Sequence, residues 1–434
     1  MRVAIKTLGC KINQYDTAVI QERLARESCA FVPFEDPADV YVVNTCTVTD
    51  RADWEARQLV RKAKRSNPAA RVVVTGCYAQ VSPGEVSQVP GVDRVVGLNR
   101  MDELVRCVTD GESVAGPAVS VGNPRDERTV GVLGARGFPG RTRAFLKVQE
   151  GCNFACSYCI IPTARGRSRS VPPERVLEQV RGLAEAGFAE IVLTGIHLGG
   201  YGYDLAPRVS LSELVRRIAG SGLIPRLRLS SLDPREVTDE LLSVMADSEV
   251  ICPHLHVCVQ AGDDGILKRM RRNYDTAFFA RLMARARGKL PRAALGTDVI
   301  VGFPGESEDA FAGSLDFLAG VPLTYFHVFP YSSRRGTPAA GMPDQVPAAE
   351  KKERSRRARE LGARKKQEFY RGQVGRHVSV LAEEPVAGEP GWLKGYSRNY
   401  LPVLFPGGPD LVHREVPVTL REWSRGRLRG EARC

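Results

Sequence analysis

The chain has 434 residues, 43% of them hydrophobic, and a formal net charge of +12. That length and apolar share exclude a single small core and wholesale disorder, and they predict about two to four packed domains. The excess of Lys and Arg favours an anionic partner such as nucleic acid over a merely basic surface. No apolar run reaches the ~18 residues of a membrane span, and MRVAIKTLGCKINQ turns polar too early for a secretory signal. A cytoplasmic protein without membrane attachment is expected. Eleven cysteines, an odd count without an export signal, point to metal binding over a disulfide framework.

Residues 1–110 alternate β-rich runs (Val3–Leu8, Val40–Val43, Val72–Thr75, Arg94–Val96) with helical stretches (Asp16–Arg26, Asp50–Arg65, Met101–Asp110). Buried strands separated by helices predict an open parallel α/β domain. Residues 111–143 are rich in Gly, Pro and Arg without a period and read as a linker. Over 144–345 the strand–helix unit repeats. Strands are predicted at Phe145–Val148, Ile191–Thr194, Leu227–Ser230, Leu255–Val259, Leu295–Val301 and Tyr325–Phe329. Helices fit Pro173–Ala186, Leu211–Ala219, Arg235–Met245, Thr276–Lys289 and Ser307–Leu318. Such a series predicts a partial (β/α)6 barrel with its chemistry at the C-terminal ends of the strands.

Residues 346–371 form a basic connecting helix, which is either a solvated strut or a phosphate-contacting one. In 372–434, short strands at Val378–Leu381, Tyr400–Phe405 and Val416–Arg421 predict a small antiparallel β-barrel. Lys394, Arg398, Arg425, Arg427 and Arg429 stand among Trp392, Tyr396, Tyr400 and Trp423. Cations for phosphates and rings for bases suit nucleic acid, although aromatics in a small barrel also serve as plain core.

The sharpest signal is GCNFACSYCIIP at 151–162, where Cys152, Cys156 and Cys159 follow the first barrel strand as C-x3-C-x2-C. Thiolates suit iron–sulfur clusters, and three ligands leave one iron of a 4Fe–4S cube open. Zinc competes, but it generally takes four ligands in paired C-x2-C units, and no second C-x2-C occurs. His197, His254 or His256 could supply a fourth ligand, so a zinc-containing RNA-binding protein without redox chemistry stays open. Elsewhere, Cys10 in TLGCKINQ, Cys46 in VVNTCTVTD and Cys77 in VVVTGCYAQ each stand just past a predicted parallel strand. Such strand ends line one crevice, so the three are expected to converge on a second cluster, against the plainer reading of inert core thiols. Cys29, Cys107, Cys252, Cys258 and Cys434 read as structural or free thiols. His254 and His256 are read as facing opposite sides of their strand.

C-x3-C-x2-C at the mouth of a βα barrel resembles the radical S-adenosylmethionine superfamily. The three domains together resemble its methylthiotransferases, over nearly the whole chain. TLGCKINQYDT, NTCTVTDRAD, TGCYAQ, LTGIHLGGYG and PYSSRRGTPAAGM are most similar to the members that place a methylthio group on C2 of N6-threonylcarbamoyladenosine at position 37, in the anticodon loop of tRNA. The resemblance implies two 4Fe–4S clusters, held by Cys10, Cys46 and Cys77 and by Cys152, Cys156 and Cys159. It implies S-adenosyl-L-methionine as methyl donor and radical source, an external electron donor and a TRAM-like RNA-binding barrel over 372–434. It places Gly195, Gly199 and Gly200, Arg228, Ser230 and Ser231, and Asp298 and Glu306 beside the cofactor, with no catalytic residue assigned beyond the cluster ligands. Isopentenyladenosine in tRNA and a ribosomal-protein aspartate are the alternative targets within the family. Thr163 departs from a usual Tyr, and Cys258 and Ala261 from a usual Ser.

Overall fold

The computed structural model describes residues 1–110, 118–131, 134–135, 137–424 and 426–432, so Arg425, Cys434 and part of the predicted linker lie outside the described residues. It begins with six parallel strands: β1 (Arg2–Thr7), β2 (Ala30–Phe31), β3 (Val40–Thr45), β4 (Arg71–Gly76), β5 (Arg94–Val96) and β6 (Ala118–Ser120). Their order is β2-β1-β3-β4-β5-β6. Successive strand side chains point to opposite faces. Val40, Val42 and Val73 therefore meet Ile20, Leu24, Leu104 and Val108 from helices Lys11–Arg26 and Met101–Thr109. Tyr41, Val43, Val72 and Val74 meet Ala56, Val60 and Ala63 of helix Asp50–Ser66 on the other face. The connections change direction between β1 and β3, which makes a topological switch point there.

Two of these strands differ from the sequence reading. β6 comes from the stretch read as a linker, whose composition carries no alternation. It forms because the free edge of β5 offers unpaired backbone groups. Helix Lys11–Arg26 starts five residues before its predicted Asp16, because its first turn is polar and only Cys10 marks its N-terminus.

The second unit runs β7 (Arg143–Glu150), β9 (Glu190–Gly195), β10 (Arg226–Leu229), β11 (His254–His256), β12 (Ala294–Val301) and β13 (Tyr325–Pro330), with β8 (Arg169–Ser170) antiparallel beside β7. All but β8 are parallel, and the β10–β11 joint rests on the bridges Leu227–Ile251 and Leu232–Val257. Helices outside the strands bury Val176, Leu214, Leu241, Phe279 and Phe311 in one core. Among the described residues β13 has no strand on its far side, so the barrel is partial. Helix Ala348–Arg371 covers the outer face of β13, with Ala358 and Leu361 joining Phe326 and Val328 in the core.

The last unit is a closed barrel, β14-β15-β16-β18-β17, made of β14 (His377–Pro385), β15 (Trp392–Ser397), β16 (Pro402–Pro406), β17 (Glu415–Ser424) and β18 (Arg427–Ala432). Two strands escape the sequence pattern because Gly395 and Gly430 interrupt their alternation. Tyr400 is no strand residue. It sits at a turn with φ +66°, a strained region for a bulky side chain.

That turn closes the N-terminal end of the partial barrel. The Tyr400 ring lies 4.8 Å from the His254 ring and 4.7 Å from the Arg228 guanidinium. Arg228 also donates to Glu190 Oε1 (2.6 Å) and to the carbonyl of Arg398 (2.9 Å), and Arg226 spans Glu190 and Glu415. The resemblance placed Arg228 beside the cofactor. Instead it is spent on Glu190 and the C-terminal barrel, because a buried guanidinium needs a carboxylate. Tyr396, Tyr400 and Arg398 are likewise spent on domain docking and do not offer a nucleic-acid surface. No helix among the described residues is long and apolar enough to cross a membrane.

Burial alone would raise the Glu190 carboxyl, but Arg228 and Arg226 outweigh it and hold it at about 2. Its stabilisation is complete above the ordinary Glu value of ~4.3 and is lost as pH falls through about 2. Glu190→Gln leaves two buried guanidinium groups without their carboxylate, which should cost about 3–5 kcal/mol. A lowered melting temperature and earlier proteolysis of the C-terminal barrel are expected. An unchanged melting curve would show that the buried trio does not hold the domains together.

Candidate metal and cofactor centre

β1, β3 and β4 end on the same side of their sheet, at and beside the switch point, and each hands the chain to a cysteine. Cys10 caps helix Lys11–Arg26, Cys46 follows β3, and Cys77 opens the short helix Cys77–Val81. Gly9 and Gly76 precede two of them with φ +99° and +95°. A Cβ on Gly9 would lie 2.7 Å from Cys46 Cβ, and one on Gly76 would lie 2.3 Å from the Thr45 carbonyl oxygen. Only glycine fits these turns.

The three thiols converge. Asn13 Oδ1, one helical turn beyond Cys10, accepts from the Sγ of Cys10 and of Cys77, each at 3.9 Å. Arg165 Nε donates to Cys77 Sγ at 3.4 Å. Burial, with the neighbouring Cys77 and Cys10 thiols, pushes Cys46 up to about 12. Burial also raises Cys77, against the pull of Arg165. Crowded soft donors that resist ionisation as thiols, yet receive cationic N–H bonds, fit a metal centre that takes the place of their protons.

The second triad lies in the loop between β7 and helix Ile161–Arg165. The Phe154 amide donates to Cys152 Sγ at 3.4 Å, and Arg272 Nη1 donates to Cys156 Sγ at 3.2 Å. Arg272 is fixed by Asp233 and by Tyr274 Oη (2.8 Å). Burial pushes Cys152 to about 11 and Cys159 to about 12, with Cys156 adding to both. The imidazoles considered as a fourth zinc ligand are engaged elsewhere. His197 pairs with Glu236 and packs with its ring tilted against Phe154, centroids 4.2 Å apart, while His254 and His256 both meet Tyr325 Oη. Contrary to the sequence reading, His254 and His256 face the same side, as strand residues two apart do.

A buried ion network joins the two domains beside the first triad. Arg165, six residues after Cys159, donates to Asn13 Oδ1 (2.7 Å), Asp16 Oδ2 (3.0 Å) and Glu150 Oε1 (3.0 Å). Lys147 donates to Asp16 Oδ1 (2.7 Å) and Glu150 Oε2 (2.8 Å). Sequence reasoning missed all of these residues. Only Asn13 carried a signal, its i+3 spacing from Cys10 at a helix start. On the other flank, Arg334 pairs with Asp50 and Asp53 of the first domain.

Between the domains lies a cavity of about 240 Å³. Val48 and Thr49, just past Cys46, line one side; Tyr158, Cys159 and Ile160 line another; Gln260, Asp298, Ile300, Phe329 and Arg334 complete it. Of the expected cofactor neighbours, Asp298 lines this cavity. Burial would raise Asp298, but His256 and His327 donate to it at 3.0 Å each and hold it well below the carboxylate range. His256, Asp298 and His327 thus bring three ligand atoms within 4.8 Å, already satisfied by their own hydrogen bonds. Cys258 donates to Asp298 Oδ2 at 3.4 Å, so the thiol takes a hydroxyl's place.

Ser230 Oγ is buried without a partner, and Ser231 is exposed. Gly195 ends β9 against Gln149. The space over Gly199 and Gly200 is filled by Glu236 and His197, so these glycines admit side chains and do not leave open room for a cofactor. Glu306 accepts from the Gly302 amide (2.6 Å) and pairs with Arg354 (3.0 Å). It braces the turn after β12 and is not free for a cofactor, because a buried carboxylate needs donors.

Two family models match the chain: the Radical SAM superfamily over residues 146–318 and "Uncharacterized protein family UPF0004" over residues 2–97. The chain is 42% identical to "Threonylcarbamoyladenosine tRNA methylthiotransferase MtaB" of Bacillus subtilis (strain 168), covering 96% of this chain and 93% of that one. It is 35% identical to "tRNA-2-methylthio-N(6)-dimethylallyladenosine synthase" of Moorella thermoacetica, covering 98% and 97%. Among solved structures it shares a fold with the radical S-adenosylmethionine methyltransferase TsrM from Kitasatospora setae, at TM-score 0.57 and 17% identity over 78% and 77% of the two chains.

Thiols held near 12 stay protonated at neutral pH and react slowly, since the thiolate is the nucleophile. In metal-free protein at pH 8, iodoacetamide should label exposed Cys10 at least about tenfold faster than Cys46 or Cys159. Peptide mass mapping reads the order, and equal labelling would mean the thiols are not buried as described.

Proposed function

We propose residue roles from one established premise: this chain belongs to the tRNA methylthiotransferases of the radical S-adenosylmethionine superfamily. It is an enzyme that places a methylthio group on C2 of N6-threonylcarbamoyladenosine in tRNA, with S-adenosylmethionine and a 4Fe–4S cluster. Relatives carrying the threonylcarbamoyl name reach 42% identity, whereas those named for dimethylallyladenosine lie at 30–35%. We assign the target as position 37 of the anticodon loop and the setting as the cytoplasm, with an external electron donor.

The reading rests on one observation: the segment just past Cys46 and the Cys159 loop meet across a cavity, and Arg165, on the helix that follows Cys159, reaches Cys77. In our assignment Cys152, Cys156 and Cys159 hold the radical-generating cluster, and Cys10, Cys46 and Cys77 hold a second. When bound, these groups and S-adenosylmethionine supply the electron, the 5′-deoxyadenosyl radical and the sulfur to be methylated. Radical chemistry is needed because C2–H is not polarised and no side-chain base removes it.

The chain's own residues do the rest. Arg165, steadied by Asn13, balances the charge of the first triad, and Arg272, braced by Asp233 and Tyr274, does so for the second. Arg334 clasps Asp50 and Asp53, so Val48 and Thr49 stay against the barrel mouth. Ile160, Ile161, Ile300 and Tyr158 line the cavity and limit water around a reactive radical. For RNA, exposed Arg371, Arg376 and Arg427 replace the docking residues as candidate phosphate contacts.

Cys156→Ala should abolish 5′-deoxyadenosine formation. Cys46→Ala should retain part of it while yielding no 2-methylthio nucleoside, as read by mass spectrometry of digested tRNA. A Cys46→Ala variant with normal product would remove the first triad from the reaction. Reversing Arg371, Arg376 and Arg427 to Glu together should lower the salt slope of tRNA binding by roughly 2–3. An unchanged slope would assign the grip to another surface.

A further inference from the structure

We propose that Phe329 is the stacking platform for the target adenine, with Val48 closing on the other face of the base. The proposal rests on the tRNA methylthiotransferase reading and deepens it.

Tyr325, His327 and Phe329 alternate along one face of β13, the terminal strand of the partial barrel. Their rings follow one another at 5.5 Å and 6.5 Å between centroids. The intervening Phe326 and Val328 point the other way, into the core beneath helix Ala348–Arg371. Tyr325 is engaged by His254 and His256, so Phe329, at the open end of this face, is the ring that the fold does not use. His327 is fixed by Asp298, but Phe329 is 44% exposed and Val48 is 52% exposed, two of the few large apolar side chains left open to solvent. Both line the cavity that Cys159 also lines.

Placement selects the occupant. Val48 is two residues past Cys46, while Phe329 shares its cavity with Cys159, so a ligand between them lies against Cys159 and beside the segment that carries Cys46. Flat apolar faces with polar groups at the edge, here Asp298, Gln260, Ser332 and Arg334, match a nucleobase: a π-face with a hydrogen-bonding rim. An enzyme acting on a base must draw it out of its stack, and an aromatic ring replaces the stacking lost.

The test uses reconstituted holoenzyme and an anticodon stem-loop RNA with threonylcarbamoyladenosine or 2-aminopurine at the target position. Phe329→Ala should raise KM for the RNA at least about fivefold, with a smaller change in kcat. It should also shrink the rise in 2-aminopurine emission that marks the base leaving its stack. Phe329→Tyr should restore both. Phe329→Leu, which keeps bulk without a π-face, should behave like Phe329→Ala and covers the case in which the alanine variant loses iron. Wild-type KM and emission in the alanine and leucine variants would overturn the proposal. A wild-type enzyme that makes no 2-methylthio nucleoside would instead overturn the functional reading, whatever the emission shows.

Discussion

Arg165 donates to Cys77, Asn13, Asp16 and Glu150 at once, from a fully buried position. With Lys147 it neutralises two carboxylates that belong to different domains. A buried charge is tolerated only when paired, so this cluster fixes the mutual orientation of the domains as well as their contact. Burial would raise Glu150, but Arg165 and Lys147 hold it down to about 2. The same guanidinium reaches a thiol of the first triad from a helix that begins two residues after the second triad ends. Registry between the two centres thus depends on Arg165 and Lys147, with Arg334 on the other flank.

The barrel carries a second ion cluster at its opposite end. Glu190, Arg226 and Arg228 bind the C-terminal barrel there, and the strained Tyr400 turn is held by the ring and guanidinium contacts around it. Apolar surface fills the space between. The molecule therefore uses charge at both mouths and hydrophobic packing along the walls. That arrangement leaves at the C-terminal mouth a largely apolar cavity with Cys159 in its wall and the segment past Cys46 beside it.

This division also explains which aromatics are available for a ligand. Tyr396, Tyr400 and Trp423 are engaged against protein rings or guanidinium groups. Trp392 lies under Arg429 at 4.8 Å. Phe329 lies at the cavity with a part of its ring open to solvent. Basic and aromatic residues counted from composition thus overstate the nucleic-acid surface of the last domain, since several are consumed in building and docking it.

The local pattern is legible in the chain: alternating strands and helices, the C-x3-C-x2-C loop, and three cysteines each just past a strand. Spacing along the chain carries these, because strand direction and side-chain alternation are local geometry. It did not determine β6, β15 or β18, where pairing with an existing edge overrides a weak pattern. Nor could it place Arg228 and Glu306, whose partners Glu190 and Arg354 lie 38 and 48 residues away. Lys147, Glu150 and Arg165 look like ordinary charged residues in the chain. Only the tertiary structure, by removing them from water, forces them to pair and so decides which side chains serve the metal centre and which serve the fold.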